Sequence, residues 1–167
     1  HLYPQGLVYA DTNGEGRKDV LTAKGWGKGP ADPKQSNWTF HPADMSQDCA
    51  QMYVMDLNKD GLPDMLSSSA HHYGVWWHEQ KRDANGNITF VHHHIDSSFS
   101  QSHSLALADV NGDRHPDLIT GKRYFAHNGG DPGAHDVGGR PGEERLDLLL
   151  AFLRLQRARA VDECAAG

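Results

Sequence analysis

The chain has 167 residues, with 16 Lys and Arg against 22 Asp and Glu and a formal net charge of −6. That length allows one core, and the acidic balance speaks against a nucleic-acid partner, which needs a clustered basic face. No apolar run reaches the roughly 18 residues of a membrane span, and no signal peptide is visible. The chain begins at His1 without Met and is expected to be a processed chain or a fragment.

In chain order the first element is the apolar run Leu7-Val8-Tyr9-Ala10, followed by Asp11-Thr12-Asn13-Gly14-Glu15-Gly16-Arg17-Lys18-Asp19 and then Val20-Leu21-Thr22. The same plan returns as Met52 to Met55, Asp56-Leu57-Asn58-Lys59-Asp60-Gly61-Leu62-Pro63-Asp64 and Met65 to Ser67. A third copy runs Leu105 to Ala108, Asp109-Val110-Asn111-Gly112-Asp113-Arg114-His115-Pro116-Asp117 and Leu118 to Thr120. Short apolar runs beside Gly and Asn turns predict buried β-strands, so each repeat reads strand, acidic loop, strand.

Each loop carries side-chain oxygens at positions 1, 3, 5 and 9. Such oxygen-only sets on a tight turn suit a hard cation, and calcium takes 6–8 oxygens at loose geometry. The expected calcium ligands are Asp11, Asn13, Glu15 and Asp19; Asp56, Asn58, Asp60 and Asp64; and Asp109, Asn111, Asp113 and Asp117. The backbone carbonyls at position 7 (Arg17, Leu62 and His115) would complete each set. An EF-hand needs a Glu at position 12, where this chain has Thr22, Ser67 and Thr120, so that motif is excluded. An Asx-rich turn without metal is the competing reading.

After the second loop, Gly74 to Glu79 reads as a third strand, Asn85-Gly86 as a hairpin turn and Ile88 to His92 as a fourth strand. Four antiparallel strands make a propeller blade. The loops start at residues 11, 56 and 109, giving periods close to the roughly 40–50 residues of propeller repeats.

This pattern resembles the FG-GAP/VCBS family of calcium-binding β-propellers, whose blades carry D-x-[DN]-x-D-G-x-x-D between their first two strands. The resemblance covers about residues 1–137, and the stretch Ser102 to His127 looks like bacterial members. The second loop matches in full; the third has Arg114 where Gly is usual and the first has Glu15 where Asp is usual. The fold expected is all-β: about three four-stranded blades of a partial propeller, followed by a helical or irregular tail over 138–167. In that tail Leu146, Leu149, Leu150, Phe152 and Leu153 fall at helical spacing among Arg145, Arg154, Arg157 and Arg159. Closed propellers have about 4–8 blades, so the remaining blades of a longer chain are expected partners.

Twelve histidines are many for this length. They cluster at His71-His72, His92-His93-His94, His103, His127 and His135. A zinc site needs three or four to converge, and adjacent strand histidines point to opposite faces. His103, Lys122, Arg123 and His127, with Tyr124, fall near strand ends and are the candidates for a polar or catalytic pocket. Trp76 and Trp77 share a strand, with inter-blade packing expected before sugar stacking. Cys49 and Cys164 read as free thiols, a disulfide between them being the alternative.

The function expected is a calcium-stabilised extracellular, periplasmic or cell-surface module that binds a glycan or a protein. The alternative is a propeller-type sugar lyase or dehydratase using those histidines for metal or acid–base chemistry.

Overall fold

The computed structural model describes residues 6–45, 49–123 and 126–134, with Ala126 and His127 described by backbone alone. The segment 138–167, expected to be a helical or irregular tail and including Cys164, lies outside these residues, as do Tyr124 and His135.

The described chain is all-β apart from one 3-10 turn at Ala126–Gly129. The first sheet holds β1 (Val8–Ala10), β2 (Asp19–Thr22), β3 (Gly25–Lys28) and β4 (Thr39–Pro42). The second holds β5 (Cys49–Met55), β6 (Asp64–Ser69), β7 (Tyr73–Arg82) and β8 (Ile88–Ser100). The third pairs β9 (Ser104–Ala108) with β10 (Asp117–Gly121). All pairings are antiparallel between chain neighbours, which is the meander of a propeller blade. The expectation of four strands per blade is therefore met in two units, and the third shows two strands among the described residues.

Around the acidic loops the cross-strand registers of the first two blades correspond position by position. One face of the first blade carries Val8, Leu21, Trp26 and His41 in a row. The corresponding row of the second is Tyr53, Leu66, Trp77 and His93. In each, the His ring lies on the Trp, at centroid distances of 4.2 Å and 4.4 Å. The opposite face of the second blade carries Val54, Met65, His78 and His92.

These rows decide how blades stack. Leu21 and Trp26 of the first blade bury against Met52 and Met65 of the second, with Val8, Ala10 and Val54 at the margin. One blade further on, Leu66 joins Val75, Leu105 and Leu118, with Tyr53, Trp77 and Leu107 around them. The same face thus meets the next blade twice, burying apolar side chains at each contact. Trp77 goes to the inter-blade core, whereas Trp76 turns edge-on to His94 on the other face. Cys49 is buried, and its thiol donates to the Met45 carbonyl.

Polar side chains tie blades together as well. The Gln80 amide, fully buried, donates to the Thr12 carbonyl at 2.8 Å, and the Arg82 guanidinium reaches the Asn13 carbonyl. Between the second and third blades, Tyr53 donates to the Leu105 carbonyl and the Leu105 amide donates to Gln51.

Candidate functional site

The three acidic loops share one hydrogen-bond frame. At position 1 the carboxylate accepts the amides of positions 5 and 6: Glu15 and Gly16 on Asp11, Asp60 and Gly61 on Asp56, Asp113 and Arg114 on Asp109. The position-3 amide oxygen accepts the position-5 amide as well, from Asn13, Asn58 and Asn111. Two residues per loop must then adopt positive φ, at positions 4 and 6. They are Gly14 and Gly16 in the first loop, Lys59 and Gly61 in the second, Gly112 and Arg114 in the third. Glycine takes that conformation freely; Lys59 (φ 64°) and Arg114 (φ 67°) do so against the steric preference of an L-residue.

Position 9 behaves differently from the other three. Asp19, Asp64 and Asp117 are buried, and each accepts the amide of position 2, from Thr12, Leu57 and Val110 respectively. Asp19 also accepts the amide of Gly29, just past β3, and Asp64 that of Gln80 in β7. These aspartates buckle the loop to the blade. Burial raises the Asp64 pKa, opposed by its hydrogen bonds to Gln80 and Leu57.

The oxygens of positions 1, 3 and 5 therefore gather on the loop, and position 9 is turned inward onto amides. A carboxylate oxygen accepts through two lone pairs, so the amide bonds leave capacity for a hard cation. Among the described residues no group of three or more His, Cys, Asp or Glu gathers in a metal-holding arrangement. An ion at the loops would draw on two carboxylates, the Asn oxygen and backbone carbonyls together.

The loops differ at position 5. Asp60 and Asp113 accept the amides of Leu62 and His115. Glu15 instead pairs with Arg17 at 2.7 Å and Lys28 at 2.8 Å, and the Lys28 bond is the main cause of its lowered pKa. In the second blade the residue equivalent to Lys28 is Glu79. Its carboxylate takes Asn58 at 2.9 Å and His93 at 3.0 Å, and pairs with Lys81.

The polar pocket expected near the strand ends is placed piecewise. The amides of His103 and Arg123 both donate to the carbonyl of Gln101, a buried residue at φ 60°. Lys122 extends its amine to Ser100 Oγ and the Gly133 carbonyl, and burial lowers its pKa. Arg123 is exposed, and the His127 side chain lies outside the described residues. His71 pairs with Asp131 at 3.1 Å.

Two features have no signal in the linear sequence. One is a hydrogen-bonded chain across three strands, buried at Ser67 and His78 and reaching the exposed His92: Ser67 Oγ lies 2.7 Å from His78 Nε2, and His78 Nδ1 lies 2.6 Å from His92 Nδ1. The other is a cleft of about 420 Å³ between the first two blades, lined by Asn13, Trp26, Lys28, His41, Arg82 and Ile88 among others. Neither has a linear motif, because its members come from different strands.

No curated protein and no solved structure matches the chain significantly. Residues 56–120, which run from the second acidic loop through β6, β7, β8 and β9 into β10, match the FG-GAP-like repeat, which supports a β-propeller-like module in this part of the chain.

Proposed function

We propose that the chain is a segment of a calcium-stabilised extracellular propeller that presents its blades to a glycan or protein ligand. The shared frame of the three loops supports this reading: three separate segments hold Asp and Asn oxygens at positions 1, 3 and 5 by the same backbone bonds. An oxygen set of this kind suits calcium, which would neutralise carboxylates held close together and fasten adjacent strands. Loops of modest charge saturate where calcium is millimolar, a condition that supports an extracellular or periplasmic setting.

The second and third loops are the stronger sites, because Lys28 and Arg17 already claim the position-5 carboxylate of the first. Differential scanning fluorimetry of the chain against CaCl₂ and EDTA tests the proposal. Calcium should raise the Tm by several degrees, since a ligand bound only by the native state stabilises by mass action. A Tm that does not respond to calcium removes the structural-ion reading.

A further inference from the structure

The cleft between the first two blades has an internal template in the second blade. There, the Glu79 carboxylate sits among His93 Nε2, Asn58 Nδ2 and the Lys81 amine. The registers map His93 onto His41, Trp77 onto Trp26 and Glu79 onto Lys28, and the loop repeat maps Asn58 onto Asn13. The first blade thus keeps the His on its Trp and keeps the Asn, but an amine stands where the carboxylate was. His41 Nε2 is shielded from solvent and has no hydrogen-bond partner among the described residues, whereas its counterpart bonds Glu79. The cleft lies beside this position, and Arg82 from the second blade lines it.

We infer that this cleft binds the carboxylate of a small molecule, seated beside the Lys28 amine, the position at which the second blade supplies Glu79 from its own chain. Lys28 and Arg82 set two cations against the single carboxylate of Glu15, so the lining is net positive. Charge-assisted hydrogen bonds from Lys28, Arg82 and Asn13 hold the anion, and the shielded His41 nitrogen gains an acceptor. Binding pockets of about 300–1,000 Å³ take small ligands, and 420 Å³ accommodates an acidic sugar such as a uronate. Trp26, Ile88 and Pro42 give the ring an apolar wall. The inference rests on reading the chain as a binding module and names the ligand chemistry of that module.

The test is calorimetric titration of the full chain with glucuronate, supported by tryptophan fluorescence, with glucose and acetate in parallel. Glucuronate should bind with a Kd in the millimolar range and glucose about tenfold more weakly or worse. Lys28→Gln should weaken glucuronate by about tenfold, and His41→Phe, which keeps the ring stack, by several-fold. Both variants should retain the parent Tm. Acetate binding as tight as glucuronate supports the carboxylate site and assigns it to simple acids; tighter glucuronate assigns it to acidic sugars. Glucuronate and acetate both failing to bind at about 50 mM, or an unchanged Kd in folded Lys28→Gln protein, overturns the inference. The calcium response of the Tm reads the loops and not the cleft, so failure of one leaves the other standing.

Discussion

In the first blade Lys28 faces Glu15, while in the second the same position holds Glu79, bonded to Asn58 and His93. The backbone frame is the same: equal registers, the same Trp–His stack, the same inward aspartate on the same amides. A shared frame with exchanged charges teaches that the frame comes from the repeat and that individuality lies in a few polar substitutions. The first blade closes its own loop with an internal ion pair and leaves a cleft. The second fills the cleft's equivalent and leaves the loop oxygens for an ion.

The largest effects should come from the apolar rows. Leu21 and Leu66 occupy equivalent, fully buried positions. Leu21→Ala and Leu66→Ala should each cost about 2–5 kcal/mol in urea unfolding, within about 1 kcal/mol of each other. A gap much larger than that breaks the equivalence of the two blades.

Next in size is a pH dependence confined to the second blade, because the first has Gly27 where the second has His78. Burial, helped by the neighbouring His92 and opposed by Asp44, lowers the His78 pKa from 6.5 to about 4. Between those values the unfolded chain takes up a proton that the folded protein refuses. The stabilisation is complete above about pH 6.5 and is lost as pH falls toward 4, by roughly 3 kcal/mol. Unfolding midpoints measured across that window should fall with acid in the parent and flatten in His78→Gln. An equal slope in the variant would assign the acid sensitivity elsewhere.

The ion response is the third test. Asp60→Ala should remove most of the calcium-dependent rise in Tm attributable to the second loop, whereas Glu15→Gln should leave the rise unchanged. The reverse order would mean that the ion pair with Lys28 does not disable the first loop. Smallest of all is the backbone term: Arg114→Gly relieves a positive φ and should stabilise by about 0.5–1 kcal/mol, while Gly14→Ala should destabilise by a similar amount. Chemical denaturation resolves both, and a destabilised Arg114→Gly would show that the arginine side chain contributes more than its backbone costs.

Much of the fold is legible in the residue pattern alone. Asp-x-Asn-x-Asp/Glu at three regular positions predicts the loops, and the apolar triplets either side predict their strands, since period and turn chemistry are local. The second hairpin follows from Asn85-Gly86; β7 runs on to Arg82 by regular pairing next to that turn, and β8 runs on to Ser100 across two register shifts opposite Tyr73 to Trp76. The turns at Asp32 and Asp131 follow local chemistry too. Position 9 is legible as acidic but not as a buckle. Whether Asp64 faces an ion or the amides of Leu57 and Gln80 depends on where the third strand lies.

The sequence by itself determined the repeat, the loops' oxygen chemistry and the two positive-φ positions that glycine marks, because these depend on residues within a few positions of one another. Only the tertiary structure decided which blade face meets its neighbour, that His78 is sealed between Ser67 and His92, and that Lys28, His41 and Arg82 border one cleft. Those residues come from separate strands and two blades. Their meeting is set by cross-strand register and by burial of the Leu21 and Leu66 rows, which no linear spacing encodes.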